Sequence, residues 1–233
     1  MRLRVLALGL VLAASGCATT GAGDPRDPLE TMNRGVLAFN DAADAALLLP
    51  AARAYRVVLP EGLRGMVRNF FTNLDDVWIG TNNLLQGKPA DAASDGLRFL
   101  FNSTLGFFGL IDLASEVGLE KHNEDLGQTL ARWGVGEGPY LMLPLLGPST
   151  TRDTAALPVD WLADPVLTAR PIALRNSLTA VRFVARREEL LDTTRALEEA
   201  ALDRYVFLRE SYLQRRKSLV YDGRPPRERP PAE

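Results

Sequence analysis

His122 is the only histidine in the sequence, and it stands in the polar run Glu120, Lys121, His122, Asn123, Glu124 and Asp125. A Ser/His/Asp triad would have to use it as the base, yet no G-x-S-x-G elbow accompanies it. The run is expected to form an exposed loop. Glu116, Glu120, Glu124 and Asp125 include the residue types of a glycosidase pair, but nothing in their spacing singles out two of them. Cys17 is the only cysteine, so the chain holds no internal disulfide. One thiol and one histidine supply a zinc site poorly. The glycines of 134–138 follow no expected strand and lack the lysine of a phosphate-cradling loop. These observations point away from catalysis, and neither metal nor cofactor is expected.

Amides offer a different chemistry. Asn69, Asn73, Asp76, Gly80 and Asn83 recur at three-to-four spacing, so they share one face of a helix. No lysine or arginine falls between Arg68 and Lys88, whereas a solvated face normally carries them. Asparagine is also a poor helix former, so several in one helix need a reason. Two readings stay open. The amides are structural, buried to serve neighbouring turns or marking a break in the helix near Gly80, or the helix lies at membrane depth with this neutral polar face on a water-filled passage.

The helix that must carry the stripe runs through "PEGLRGMVRNFFTNLDDVWIGTNNLLQGKP". Pro60 suits its first position, and Gly87 with Pro89 forms a stop. Leu63, Val67, Phe70, Leu74, Val77 and Leu84 add an apolar stripe for packing. A shorter amphipathic segment follows from Ala90 to Leu105, with Leu97, Phe101, Leu105 and Phe108 on one side. From Asn176 to Leu219 the helices become charged, with a packing stripe that includes Tyr205, Leu208 and Tyr212. The Arg215, Arg216, Lys217 cluster either meets anionic headgroups or forms a solvated end favoured by the helix dipole. Between these helical regions lies "RWGVGEGPYLMLPLLGP", Arg132 to Pro148, with four glycines and three prolines among apolar residues. It suits neither helix nor sheet, and it is too apolar for an ordinary surface loop.

The N-terminus gives a location. Arg2 and Arg4 precede an apolar run, Val5 to Ala14, too short to span a bilayer. Ser15 and Gly16 then stand directly before Cys17, as in a bacterial lipobox, although Ala14 replaces the usual leucine. Cys17 is the expected lipidation site, with residues 1–16 as the leader and 17–28 as an acylated tether. Several acyl chains hold a protein on a membrane stably. Ala18, in place of an aspartate after the cysteine, favours the outer membrane. Residues 29–221 form the expected all-α domain, and 222–233, rich in Pro, Arg and Glu, an expected disordered tail. The net charge of −2 gives no case for a nucleic-acid partner.

Six blocks occur in order: "DPLETMNRGVLAFNDAAD" from Asp27, "NFFTNL" from Asn69, "NNLLQGKPADA" from Asn82, "RFLFNSTLGFFGLIDLA" from Arg98, "EDLGQTLARWGVGEGPYLMLPLLGPSTTRD" from Glu124 and "DP" at Asp164. Together they resemble the MlaA/VacJ family of outer-membrane lipoproteins. The resemblance implies a ring-shaped helical protein embedded in the outer membrane around an amphipathic channel. It implies association with a trimeric porin and removal of mislocalised phospholipids from the outer leaflet to a soluble periplasmic carrier, without enzymatic activity. Under it, Phe39 and Asn40 correspond to a first-helix segment tied to gating, with Leu37 where an aromatic is often found. Asn69, Asn73 and Asn83 become candidates for the lipid path. Gly134, Gly136 and Gly138 become hinges of a mobile loop whose Tyr140, Leu141 and Leu143 offer a surface to acyl tails, unless that loop packs statically. The same features would serve a porin-associated scaffold lipoprotein that passes no lipid.

Overall fold

The computed structural model describes residues 24–200 and 202–226. The leader, Cys17 and the tether up to residue 23 lie outside these residues, as does the tail from residue 227. The described chain is all-α apart from one small hairpin. Helix α1, Glu30–Ala43, passes through a π-turn, Asp44–Leu48, into α2, Leu49–Val58. The π-turn lies directly ahead of Pro50, whose ring would clash with the carbonyl four residues earlier in a regular helix. The wider turn avoids that clash, with the Leu49 N–H donating to the Asp44 carbonyl five residues back. Together Glu30–Val58 is long and apolar enough to cross a membrane, and only 6% of its most apolar stretch is buried.

Helix α3, Glu61–Leu85, begins one residue after Pro60 and ends where expected. Gly87 takes φ of 76°, and the Lys88 N–H reaches the Asn83 carbonyl while Gly87 N–H reaches Leu84. This pair of bonds closes the helix end and needs the left-handed residue that glycine supplies. Pro89 then opens α4, Pro89–Thr104, which returns against α3. Short α5, Leu113–Glu116, and α6, Leu126–Arg132, are capped by Asp112 and Asp125. The strands β1, Tyr140–Leu143, and β2, Gly147–Thr150, pair antiparallel with Tyr140 opposite Thr150. Helices α7, Thr151–Ala163, α8, Ile172–Glu189, α9, Leu191–Ala200, and α10, Arg204–Val220, complete the chain.

The packing is unusual in its distribution of polarity. Asn33, Asp76, Asn82, Asn83 and Asp95 are essentially inaccessible, whereas Leu47, Val57, Leu105, Phe107 and Phe108 are mostly exposed. Phe107 and Phe108, at 70% and 75% exposure, sit at an interhelical turn where both adopt positive φ. Where such side chains gather into a contiguous patch, as at Phe107 and Phe108, they offer a surface to lipid or protein.

Candidate functional site

The amide stripe meets helix α4. Asn73 Nδ2 donates to Ser103 Oγ at 2.9 Å, and Asn83 Nδ2 to Asp95 Oδ2 at 2.7 Å. Asn69 Nδ2 donates to the Leu110 carbonyl at 3.2 Å. Asp76 accepts from Lys121 and lies 3.7 Å from Arg98, which donates to both oxygens of Asp112 at 3.0 Å. Gly80 allows the close crossing, because a Cβ there would stand 3.3 Å from the Ala92 carbonyl oxygen. Of the two readings of the stripe, these partners support the buried one: Asn73 and Asn83 hold a packing seam rather than face an opening. A buried amide with a partner stabilises modestly, but losing that partner is expensive. His122 belongs to the same seam. Its Nδ1 lies 2.9 Å from Asp95 Oδ1, so the ring is partly buried and paired, not in an exposed loop.

The opening lies elsewhere. A cavity of about 770 Å³ is surrounded by the π-turn, α3, the hairpin tip, α7, α8 and α10. Leu48, Leu74, Trp78, Leu146, Trp161 and Phe183 give it apolar walls. Arg182, Arg186, Arg187, Arg215 and Arg216 line it as well. Arg182 Nη1 donates to Asp164 Oδ2 at 2.6 Å and a second nitrogen bonds Asp75, tying α8 to α3. Arg187 donates to both oxygens of Asp44, at 2.7 and 2.8 Å, tying α8 to the π-turn. Arg216 is buried between Asp125 and Asp153, so it is not a solvated helix end. Burial pushes the Asp153 carboxyl up, but the Arg216 guanidinium outweighs it and holds the group below its ordinary value. Asp160 is shifted upward by burial, with Trp78 Nε1 donating to it at 2.7 Å. Arg215 is exposed and forms no ion pair among the described residues.

The Gly/Pro segment is half hairpin, which corrects the expectation of no regular structure. Gly134 and Gly138 take φ of 92° and 69°, while a Cβ at Gly136 would meet open space. Tyr140 is fully buried, its ring edge-on to Tyr205 and Tyr212 at 6.1 and 6.2 Å. It therefore offers no surface to an acyl tail; Leu141 and Leu143 are half-buried. Helix α1 clasps the free edge of β1. Asn33 accepts from Met142 N at 2.9 Å and donates to the Tyr140 carbonyl at 3.2 Å. Asn40 donates to the Leu143 carbonyl at 2.9 Å and accepts from Leu145 N at 2.7 Å. The two amides, seven residues and thus two helical turns apart, act as a substitute strand. Asn33 escaped sequence reasoning, although its spacing from Asn40 was visible. Phe39 is over half exposed on the same helix. Beyond the clasp, Leu145 and Leu146 form the exposed tip that borders the cavity. Among the described residues no group of three His, Cys, Asp or Glu is arranged to hold a metal.

Residues 25–219 match the family model described as MlaA lipoprotein. The chain belongs to the MlaA family. It is 34% identical over 240 residues to the intermembrane phospholipid transport system lipoprotein MlaA of Shigella flexneri, covering 100% of this chain and 94% of that one. The Escherichia coli protein of the same description is 33% identical over 240 residues, with the same coverage. The Haemophilus influenzae MlaA is 29% identical, covering 94% of this chain and 90% of its own. A solved structure from work on the maintenance of bacterial outer membrane lipid asymmetry superposes with a TM-score of 0.73 at 34% identity. It covers 83% of this chain and 98% of that one.

Proposed function

We propose that this chain is an outer-membrane lipoprotein, anchored through acylated Cys17, that maintains lipid asymmetry by clearing phospholipid from the outer leaflet. The lipid passes through the cavity to a soluble periplasmic carrier, beside a trimeric porin, and no bond is made or broken. The observation that carries this reading is the cavity itself: apolar walls and arginines in one open space, within a chain that also exposes many large apolar side chains. Acyl tails follow Leu74, Trp78 and Phe183, while the phosphate passes along guanidiniums already partly neutralised by Asp44, Asp75 and Asp164. Partial neutralisation keeps the headgroup from being trapped in a strong ion pair. Such a passage only equilibrates its two ends, so direction comes from the carrier's affinity and the steps downstream.

In this reading Asn69, Asn73 and Asn83 hold the wall of the path without touching the lipid. The hairpin tip is the movable wall, with Gly134 and Gly138 as hinges and Asn40 as the latch beside Phe39. Thr179 lines the cavity from α8. Full-length Thr179→Trp, expressed in cells lacking their own copy, is expected to fold normally and to leave phospholipid accumulated in the outer leaflet. Clearance equal to wild type would remove the cavity from the path. Purification in mild detergent supplies the check against a scaffold role: phospholipid and porin together support transport, and porin alone with intact asymmetry on deletion supports scaffolding.

A further inference from the structure

A second, smaller cavity of about 290 Å³ lies away from the main one, between α2, the start of α3 and α8. Tyr55, Glu61, Arg64, Arg68, Glu188 and Glu189 line it. Glu188 is committed to protein, accepting from Arg56 Nε at 2.7 Å and from Arg64 Nη1. The remaining charges are not. Among the described residues Glu61, Glu189 and Arg68, all exposed at the mouth of the cavity, make no ion pair, and Arg64 Nη2 makes no hydrogen bond. Two donors beside the cavity, the Tyr55 hydroxyl and Arg64 Nε–H, are buried with no acceptor at all. Buried donors left unpaired are uncommon and call for a partner.

Position adds to the chemistry. The pocket sits where the apolar helix Glu30–Val58 ends, with Val57 and Val58 exposed at that end. An apolar helix ending beside Arg56, Arg64 and Arg68 matches the boundary between acyl chains and headgroups. The unpaired charges are of both signs. A purely anionic head would gain Arg68 but would be repelled by Glu61 and Glu189; a purely cationic one would meet the reverse.

We propose that this pocket binds the head of a zwitterionic, amine-bearing phospholipid, the phosphate on Arg68 and the unpaired donors of Arg64 and Tyr55, the ammonium between Glu61 and Glu189. The tails lie against Val58, at the end of the apolar helix. This rests on the reading that the chain is embedded in a bilayer, and it gives the protein a headgroup preference set outside the main path. The primary amine is what distinguishes the ligand, because an ammonium donates hydrogen bonds to two carboxylates at once.

The test uses the full-length acylated protein in mild detergent, with native mass spectrometry of retained phosphatidylethanolamine and phosphatidylglycerol. Wild type is expected to retain the ethanolamine lipid about tenfold more tightly, the scale of one or two charge-assisted hydrogen bonds. Combined Glu61→Gln and Glu189→Gln removes the preference, and Arg68→Gln weakens both lipids. Arg68→Lys keeps the charge and guards against a loss caused by misfolding; it is expected to retain most of the binding. Thr179→Trp leaves the preference intact, which separates this pocket from the main cavity. Equal retention of the two lipids, or no response to the double substitution, overturns the proposal. Equal affinity for free phosphoethanolamine also overturns it, assigning the pocket to a soluble ester. Outer-leaflet clearance reads the main cavity alone, so it stands or falls separately.

Discussion

The α3–α4 seam and the α7–α8–α10 cavity both put polar groups inside the molecule, and they treat them oppositely. In the seam the groups pack directly on protein partners, Asn73 on Ser103, Asn83 on Asp95 and Asp112 on Arg98, although Asn73 Oδ1, Asn83 Oδ1 and Asp76 Oδ2 are buried without a hydrogen bond. In the cavity the arginines share space with leucine, tryptophan and phenylalanine around open volume. Polar content therefore does not locate a path for lipid. What separates the two regions is whether open, apolar-walled space remains beside the polar groups.

That contrast can be broken most forcefully at Arg98, which is almost inaccessible and bonds Asp112 while flanking Asp76. Arg98→Leu removes the guanidinium beside Asp112 and Asp76, leaving Asp112 to Ser115 and Asn102 and Asp76 to Lys121, and is expected to cost about 3 kcal/mol, read by urea unfolding. A cost under about 1 kcal/mol would mean that the seam is wetter than its geometry implies. Gly109→Ala is expected to cost about 1–3 kcal/mol, since φ is 84° and the new Cβ would meet Asn73 Nδ2 at 2.6 Å. A neutral result there would show that the turn bearing Phe107 and Phe108 adapts.

Acid probes the charged side. The Arg26 hydrogen bond holds the Asp24 carboxyl down at about 2 from 3.8. A depressed folded-state value contributes stability above 3.8 that is lost as pH falls toward about 2. Asp24→Asn should flatten the stability profile across that window, and an unchanged profile would show the pair to be idle. The smallest effect belongs to Tyr140→Phe. The Tyr140 hydroxyl is buried with no partner, so its removal is expected to change stability by less than about 1 kcal/mol. A larger loss would reveal a partner for that hydroxyl.

The sequence made some elements plain and hid others for physical reasons. Pro60, Gly87 and Pro89 bounded α3 to within a residue because helix ends are written in local chemistry. The amide stripe was equally visible, but periodicity names a face and not what that face meets. The hairpin was concealed because four-residue strands with a glycine and a proline show no alternation. The cavity was least legible. Its ties join Arg187 to Asp44 and Arg182 to Asp75, across 143 and 107 positions, so a charged C-terminal helix looked solvated when its arginines turn inward.

The central claim is that lipid travels through the cavity and not along the amide seam. Photoreactive phospholipid, fed to cells making the full-length protein and mapped by mass spectrometry after illumination, tests it most directly. Adducts on Leu74, Leu146, Trp161 and Phe183 are predicted; adducts confined to Asn73, Asn83 and their neighbours on α4 would contradict it.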